Sequence, residues 1–333
     1  MIKKHVKSPC CGASVCRFGG RRRQCLICKK TWRIRRKKRG RKMMRSAPER
    51  ITAYFTHRSR IVRAHANGRS GSKSRIQRRL ARSLSAYVEA QEDAWRAIIP
   101  KQGELLLIAD AIWHRIRGEK YTIYCMLLRS KHGADAVIVP PHLSIGHEDA
   151  AGWQRALHAI PHAVRMRIGA LVCDGGTGVV SLAHRNGWLL QRCHFHLLSS
   201  VQNYLTTGPR SKNRPFAQHV MREVQRVLTA STETVARDSL ARLAAIRAGT
   251  RSRGVRRVVG GFLLHWREYR TYLTYSEWLL PTTSNTAESF IQCVRDLMYR
   301  CRGFRTQEKL IAWITALAAH KKTIRCNGKN KPN

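Results

Sequence analysis

From Leu105 onward the chain carries a set of uninterrupted apolar runs: LLLIAD (105–110), YTIYCMLL (121–128), DAVIVP (135–140) and IGALVCD (168–174). Runs this short, apolar on successive positions and rich in β-branched residues predict strands buried on both faces. After Leu197 the period changes. AQHVMREVQRVLTA (217–230) and VARDSLARLAAI (235–246) space their apolar residues three and four apart and predict helices, and the stretch from Ser284 to His320 reads the same way. Strands followed by helices, with a long helical stretch before the last helix, predict an α/β core. Residues 40–100 are Arg- and Ser-rich with few β-branched runs, and predict helices. In KSRIQRRLARSLSAY (73–87), Ile76, Leu80 and Leu84 share one face, Ser74 is placed to cap, and Arg75, Arg78, Arg79 and Arg82 lie elsewhere on the helix. This pattern predicts a helix-turn-helix whose last helix enters a major groove, or else a basic helix packing its apolar stripe on the core.

Charge narrows the partner. The 333 residues hold 64 Lys and Arg against 19 Asp and Glu, a formal charge of +45. Nucleic acid is the expected ligand, because each phosphate contact releases a condensed counterion. No run approaches the ~18 apolar residues of a membrane-spanning helix, and MIKKHVKSPCC has no apolar signal region. The expected location is therefore the cytoplasm, in association with the nucleoid. A hydrophobic fraction of 43% is enough for a real core, and the length predicts two or three folding units.

Eleven cysteines, five of them within residues 10–28, argue for a metal site in a reducing compartment rather than a disulfide framework. Cys25-Leu26-Ile27-Cys28 is a CxxC knuckle, and Cys10-Cys11-Gly12 is the expected partner. Four soft ligands on two knuckles fit structural Zn²⁺. Ser8 stands where a first knuckle of the C-P-x-C-G kind has its first Cys, so the fourth ligand is open among Cys10, Cys16 and His5.

The scarce acids are placed oddly. Asp110 and Asp174 each close an apolar run, and Asp174 is followed by Gly175 and Gly176. Buried carboxylates are costly unless cations or metal compensate them. Two or three converging on divalent metal is the arrangement that phosphoryl transfer uses. In TTSNTAESFIQCVRDLMYRCRGFRT, Ser284 or Asn285 can cap a helix that places Glu288 in its first turn and Arg295 two turns further along the same face. Taken alone, such a Glu is ordinary capping chemistry. Between these acids, Cys193 and His196 form a CxxH pair. Its spacing permits half a metal site, or a buried thiol and a hydrogen-bonded histidine.

In combination these features resemble the Mutator-like DDE transposases of bacterial insertion sequences, in the variant with an N-terminal zinc ribbon. The residues that carry the resemblance are Asp110, Asp174-Gly175, Gln191-Arg192-Cys193-His196, and Ser284-Asn285-Glu288-Ser289 with Arg295. The resemblance covers roughly residues 100–320. It implies a zinc ribbon at 1–38, a helix-turn-helix-like region at 40–100, and an RNase H-like catalytic core at 101–325 with a mostly helical insertion at about 197–283. It implies Mg²⁺ (or Mn²⁺) on Asp110, Asp174 and Glu288, with Zn²⁺ on Cys10, Cys11, Cys25 and Cys28. Arg75, Arg78, Arg79, Arg82 and Arg295 would contact DNA. The flank of Asp110, IWHRIRG, departs from the family pattern in being unusually aromatic and basic, though its Arg115 and Arg117 could line the DNA path. Cys193 and His196 would be a structural or DNA-positioning pair, outside the reaction centre. The implied activity is cleavage and joining of double-stranded DNA at terminal inverted repeats by a dimer or larger assembly. Two other readings stay open: a zinc-ribbon and helix-turn-helix regulator with an inactive remnant, and an RNase H-like nuclease without strand transfer.

Overall fold

A computed structural model describes residues 7–18, 22–33, 46, 49, 51–52, 54–55, 73–91, 94–205, 214–301 and 304–326. The chain divides into two compact units, Met1–Ser46 and Ala47–Asn333.

The first unit contains a small antiparallel sheet of β1 (Val15–Arg17), β2 (Arg22–Cys25) and β3 (Thr31–Arg33) in that order. Such short strands bury little apolar area. Cys25 is fully buried, while Cys10, Cys11 and Cys28 are exposed, so this sheet depends on its cysteines rather than on a core.

The second unit is an α/β structure built on a mixed sheet. After helices α1 (Lys73–Ala90) and α2 (Ala94–Ala97) come β4 (Leu105–Ile116), β5 (Glu119–Ser130), β6 (Asp135–Ile138) and β7 (His142–Ile145). Helices α3 (Ala150–His158) and α4 (His162–Arg165) lead to β8 (Ile168–Cys173), α5 (Thr177–Asn186) and β9 (Leu189–Arg192). Next come α6 (His194–Leu205), α7 (Arg214–Thr229), α8 (Glu233–Gly249), α9 (Arg253–His265) and α10 (Thr271–Thr274). The chain returns to the sheet through α11 (Asn285–Cys301), α12 (Gln307–Lys321) and β10 (Thr323–Arg325). The sheet order is β10-β6-β5-β4-β8-β9, with β7 also paired to β5. Strands β4, β8 and β9 are parallel to one another, and β5 runs antiparallel to β4.

The continuous apolar runs have a simple cause. Along β4, Leu106, Ile108 and Ile112 face a core shared with α11 and α12, while Leu105, Leu107 and Ala109 face a second core shared with α3 and α5. Both faces are covered, so the strand cannot alternate. Helices α6 to α9 enclose a third core of their own, centred on Val220, Val224, Leu243 and Phe262.

Asp110 does not end its strand, because β4 runs six residues further, to Ile116, paired throughout with β5. Past Ala109 the burial alternates, with Ile112 and Ile116 inside and Trp113 and Arg115 outside. That is the pattern of a hairpin arm with one face in water. Arg117 and Gly118 close the arm with positive φ angles of 53° and 89°, as a primed two-residue hairpin turn requires. What does end near Asp110 is the neighbour: pairing of β4 with β8 stops at Ile108 and Val172.

Helix α1 bears on the predicted helix-turn-helix. Leu84 and Tyr87 are buried, in the core that also holds Ile51, Tyr54, Phe55 and Trp313 of α12, while Arg82 is exposed. The side chains of Arg75, Arg78 and Arg79, and the segment that would form the turn, lie outside the described residues. Among the described residues no helix is long and apolar enough to cross a membrane.

Candidate metal centres

In the second unit three elements converge on one point. Strand β4 supplies Asp110 where β8 peels away, α6 supplies His196 in its first turn, and α11 supplies Glu288 in its first turn. One ligand atom from each lies within 4.8 Å of the others. His196 Nε2 stands 3.8 Å from Glu288 Oε1. The parity of β4 explains the convergence: Asp110 shares its face with Leu106, Ile108 and Ile112, and that face packs on α11.

Asp174 follows β8 directly. Its Oδ1 accepts the Gly176 N–H at 2.8 Å, and its charge raises the pKa of both Asp110 and His196. Its oxygens are outside the 4.8 Å set. Gly175 turns the chain here with φ +93°, and a Cβ on it would collide with Arg192 Nη1. Arg192 donates to the Gly175 carbonyl at 3.0 Å and forms an ion pair with Glu268, so the loop after β8 rests on a guanidinium held from the helical region.

Electrostatics set the site apart from a satisfied polar cluster. Burial pushes the Asp110 carboxyl up to about 6; His196 opposes this, and Asp174 and Glu288 add to it. The Cys193 sulfur has the largest effect on His196 and, despite burial, helps raise it to about 9 with Asp110 and Asp174 assisting. At neutral pH the imidazole is therefore cationic. Burial pushes the Cys193 thiol up, but hydrogen bonds with His196 and Ser284 outweigh it and leave the pKa lowered.

Cys193 also fixes the start of α11. The Ser284 N–H donates to Cys193 Sγ at 3.2 Å, the Cys193 N–H donates to the Cys173 carbonyl at 2.8 Å, and the His194 N–H donates to the Thr282 carbonyl at 2.8 Å. The end of β9 is thus stitched both to β8 and to the segment that aims Glu288. The CxxH motif does two jobs: the cysteine positions a helix start, and the histidine joins the acids. The resemblance implies a pair outside the reaction centre, whereas His196 groups with Asp110 and Glu288; nothing local in the sequence tells that α6 and α11 begin side by side. Glu148, on the loop before α3, carries no local sequence signal of its own. Its Oε1 accepts the Trp153 indole N–H at 2.7 Å, and burial, despite that hydrogen bond, together with Asp174 raises its pKa.

Asp110 and Glu288 offer carboxylate oxygens, the donor type that Mg²⁺ and Mn²⁺ take, and Asp174 stands beside them. Uncompensated, such a cluster is costly, which Asp110's raised pKa expresses directly. The donor set fits a divalent cation. Arg295 is exposed on α11, two turns beyond Glu288.

In the first unit Cys10, Cys11, Cys25 and Cys28 place their sulfurs within 4.8 Å of one another. Cys10 and Cys28 are 3.1 Å apart, Cys11 and Cys25 3.2 Å, and Cys11 and Cys28 4.0 Å. Tetrahedral Zn–S bonds of about 2.3 Å place sulfurs about 3.8 Å apart, so this set fits Zn²⁺. The Ser8 hydroxyl and the Cys28 amide draw the Cys25 thiol down to about 6, toward the thiolate that a metal needs. Cys16 instead contacts the carbonyl of Gln24, its neighbour across on β2, at 3.7 Å. His5 lies outside the described residues. Cys10 and Cys11 are therefore the pair that faces the CxxC knuckle.

No known protein family and no curated protein matches this chain, so its functional reading rests on the geometry of these two centres.

Proposed function

We propose that the chain is a DNA transposase of the Mutator-like DDE kind, which binds the terminal inverted repeats of an insertion sequence and cleaves and joins strands with a divalent metal. The observation that carries this reading is the meeting of Asp110 and Glu288, with Asp174 beside them, where β8 leaves β4 in a mixed sheet. An RNase H-like core is the fold reading this supports. The helices between β9 and α11 are the insertion, and the first unit is a zinc ribbon.

In this reading Asp110, Asp174 and Glu288 hold the cation. A Mg²⁺ or Mn²⁺ ion there supplies the Lewis acidity that displacement at phosphorus needs. The loop after Asp174 keeps its carboxylate at the strand end, and Cys193 keeps the first turn of α11 facing β4. His196 presents a cationic Nε2 toward the same space and balances the carboxylate charge. Arg295 is positioned for a backbone phosphate. The +45 charge holds DNA largely through phosphates, so binding falls steeply with salt. Arg75, Arg78, Arg79 and Arg82 belong to a helix-turn-helix reading of residues 40–100. Two ends must be paired, so the working form is a dimer or larger on DNA.

The test is incubation of the protein and Mg²⁺ with DNA carrying the element's ends and a target plasmid. Nicked ends together with joined products support the proposal. Nicks without joining favour an RNase H-like nuclease, and binding without nicks favours a regulator.

A further inference from the structure

The arm of β4 and β5 beyond Asp110 contains a patch that the acid cluster does not use. Trp113 is 61% exposed there, three residues past Asp110, about 10 Å along the strand. Lys120 Nζ sits over its ring, 5.4 Å from the centroid. Residues directly opposite in a ladder share a face, which puts Trp113, Thr122 and Ser144 in one row across β4, β5 and β7. Arg155 extends from α3 to Ser144 Oγ at 3.0 Å, at the far end of that row.

Two features of this arm work against its own stability. Arg115 is directly opposite Lys120, and like charges so placed repel. Arg117 occupies a positive-φ turn position where Asn, Asp or Gly is ordinarily favoured. An anion lying along the arm would relieve the first. There is also room beside it: past Ile108 the β4 edge facing away from β5 has no strand partner among the described residues.

We propose that this arm is a nucleic-acid surface in which Trp113 stacks on an unpaired base of the DNA strand that passes Asp110, while Arg115, Arg117 and Lys120 take its phosphates. An exposed aromatic with a cation on one face offers the other face to a base, and every base has a π-face to match it. The surface would thereby favour an end that is frayed or already opened. This rests on the reading of the chain as a DNA-processing enzyme.

The experiment uses the full chain and two probes: a blunt duplex, and the same duplex with a single-stranded tail carrying 2-aminopurine. The wild type is expected to quench the 2-aminopurine and to bind the tailed duplex about tenfold more tightly than the blunt one. Trp113→Ala should lose both the quenching and the preference while binding blunt duplex normally, and Trp113→Tyr should keep most of each. Arg115→Gln with Lys120→Gln should weaken both duplexes alike and flatten the salt dependence. Unchanged quenching and preference in a folded Trp113→Ala protein would overturn the proposal, leaving the enzymatic reading intact if the variant still cleaves. A wild type that binds neither duplex would overturn both.

Discussion

His196 Nε2 lies 3.8 Å from Glu288 Oε1, although the two side chains come from helices on either side of the whole helical region. A cation and an anion that close, with Asp110 in the same cluster, form a site whose charge balance a single imidazole restores only in part.

That balance predicts an unusual response of stability to pH. Asp110 has a folded pKa of about 6 against an ordinary value of 3.8, so the folded state binds protons more readily between these values. Stability in chelator should therefore fall as pH rises through that window. Asp110→Asn removes the penalty and should stabilise the metal-free protein at pH 8, by on the order of 1–3 kcal/mol. Chemical denaturation of both proteins in EDTA measures this, and a destabilised variant would show that Asp110 is already satisfied by its neighbours.

His196 acts in the same direction at higher pH. Its folded pKa of about 9 exceeds the ordinary 6.5, so its contribution is complete below 6.5 and is lost as pH rises through 9. Cys193→Ala should lower the imidazole pKa, read by NMR titration. It should also destabilise the fold by about 1–3 kcal/mol, because the Ser284 N–H loses its acceptor. Cys193→Ser should restore part of both effects.

The cysteine unit predicts a stoichiometry. Purified protein should carry one Zn²⁺ per chain at this site, measured by atomic emission. Cys25→Ser or Cys28→Ser should abolish it, and Cys16→Ser should not, since that thiol points to the Gln24 carbonyl. Retention of zinc in Cys11→Ser with loss in Cys16→Ser would reverse the ligand assignment.

The loop beneath Asp174 predicts intolerance at Gly175. Gly175→Ala combines a φ of +93° with a clash against the Arg192 guanidinium. Thermal denaturation should show a loss of about 1–3 kcal/mol. Divalent-metal affinity should drop as well, because Asp174 moves with the loop. An unchanged metal isotherm would separate the loop from the site.

The main strands were legible because burial on both faces forces apolar residues onto every position, as in Leu105–Ala109 and Ala170–Cys173. The continuation of β4 was written in the alternation of Ile112 and Ile116 with Trp113 and Arg115, but the acidic residue between the two patterns masks it. Strands β7 and β10, four and three residues long, carry too few apolar positions to announce themselves. The helix carrying Glu288 was legible in its extent, although the Ser284 hydroxyl expected to cap it is buried and accepts no hydrogen bond from it among the described residues. The place of His196 was not, since the approach of α6 to α11 is made by contacts such as Ser284 with Cys193, ninety-odd residues apart. Which of Cys10 and Cys16 completes the set likewise depended on which way β1 turns its side chains.

The most direct measurement is the rate of Mg²⁺-dependent cleavage of DNA carrying the element's ends by Asp110→Asn, Asp174→Asn and Glu288→Gln proteins, each shown to be folded and to bind that DNA. If these three carboxylates hold the reacting metal, each substitution should slow cleavage by at least about 100-fold while leaving DNA affinity in place. Wild-type cleavage rates in all three proteins would contradict the assignment.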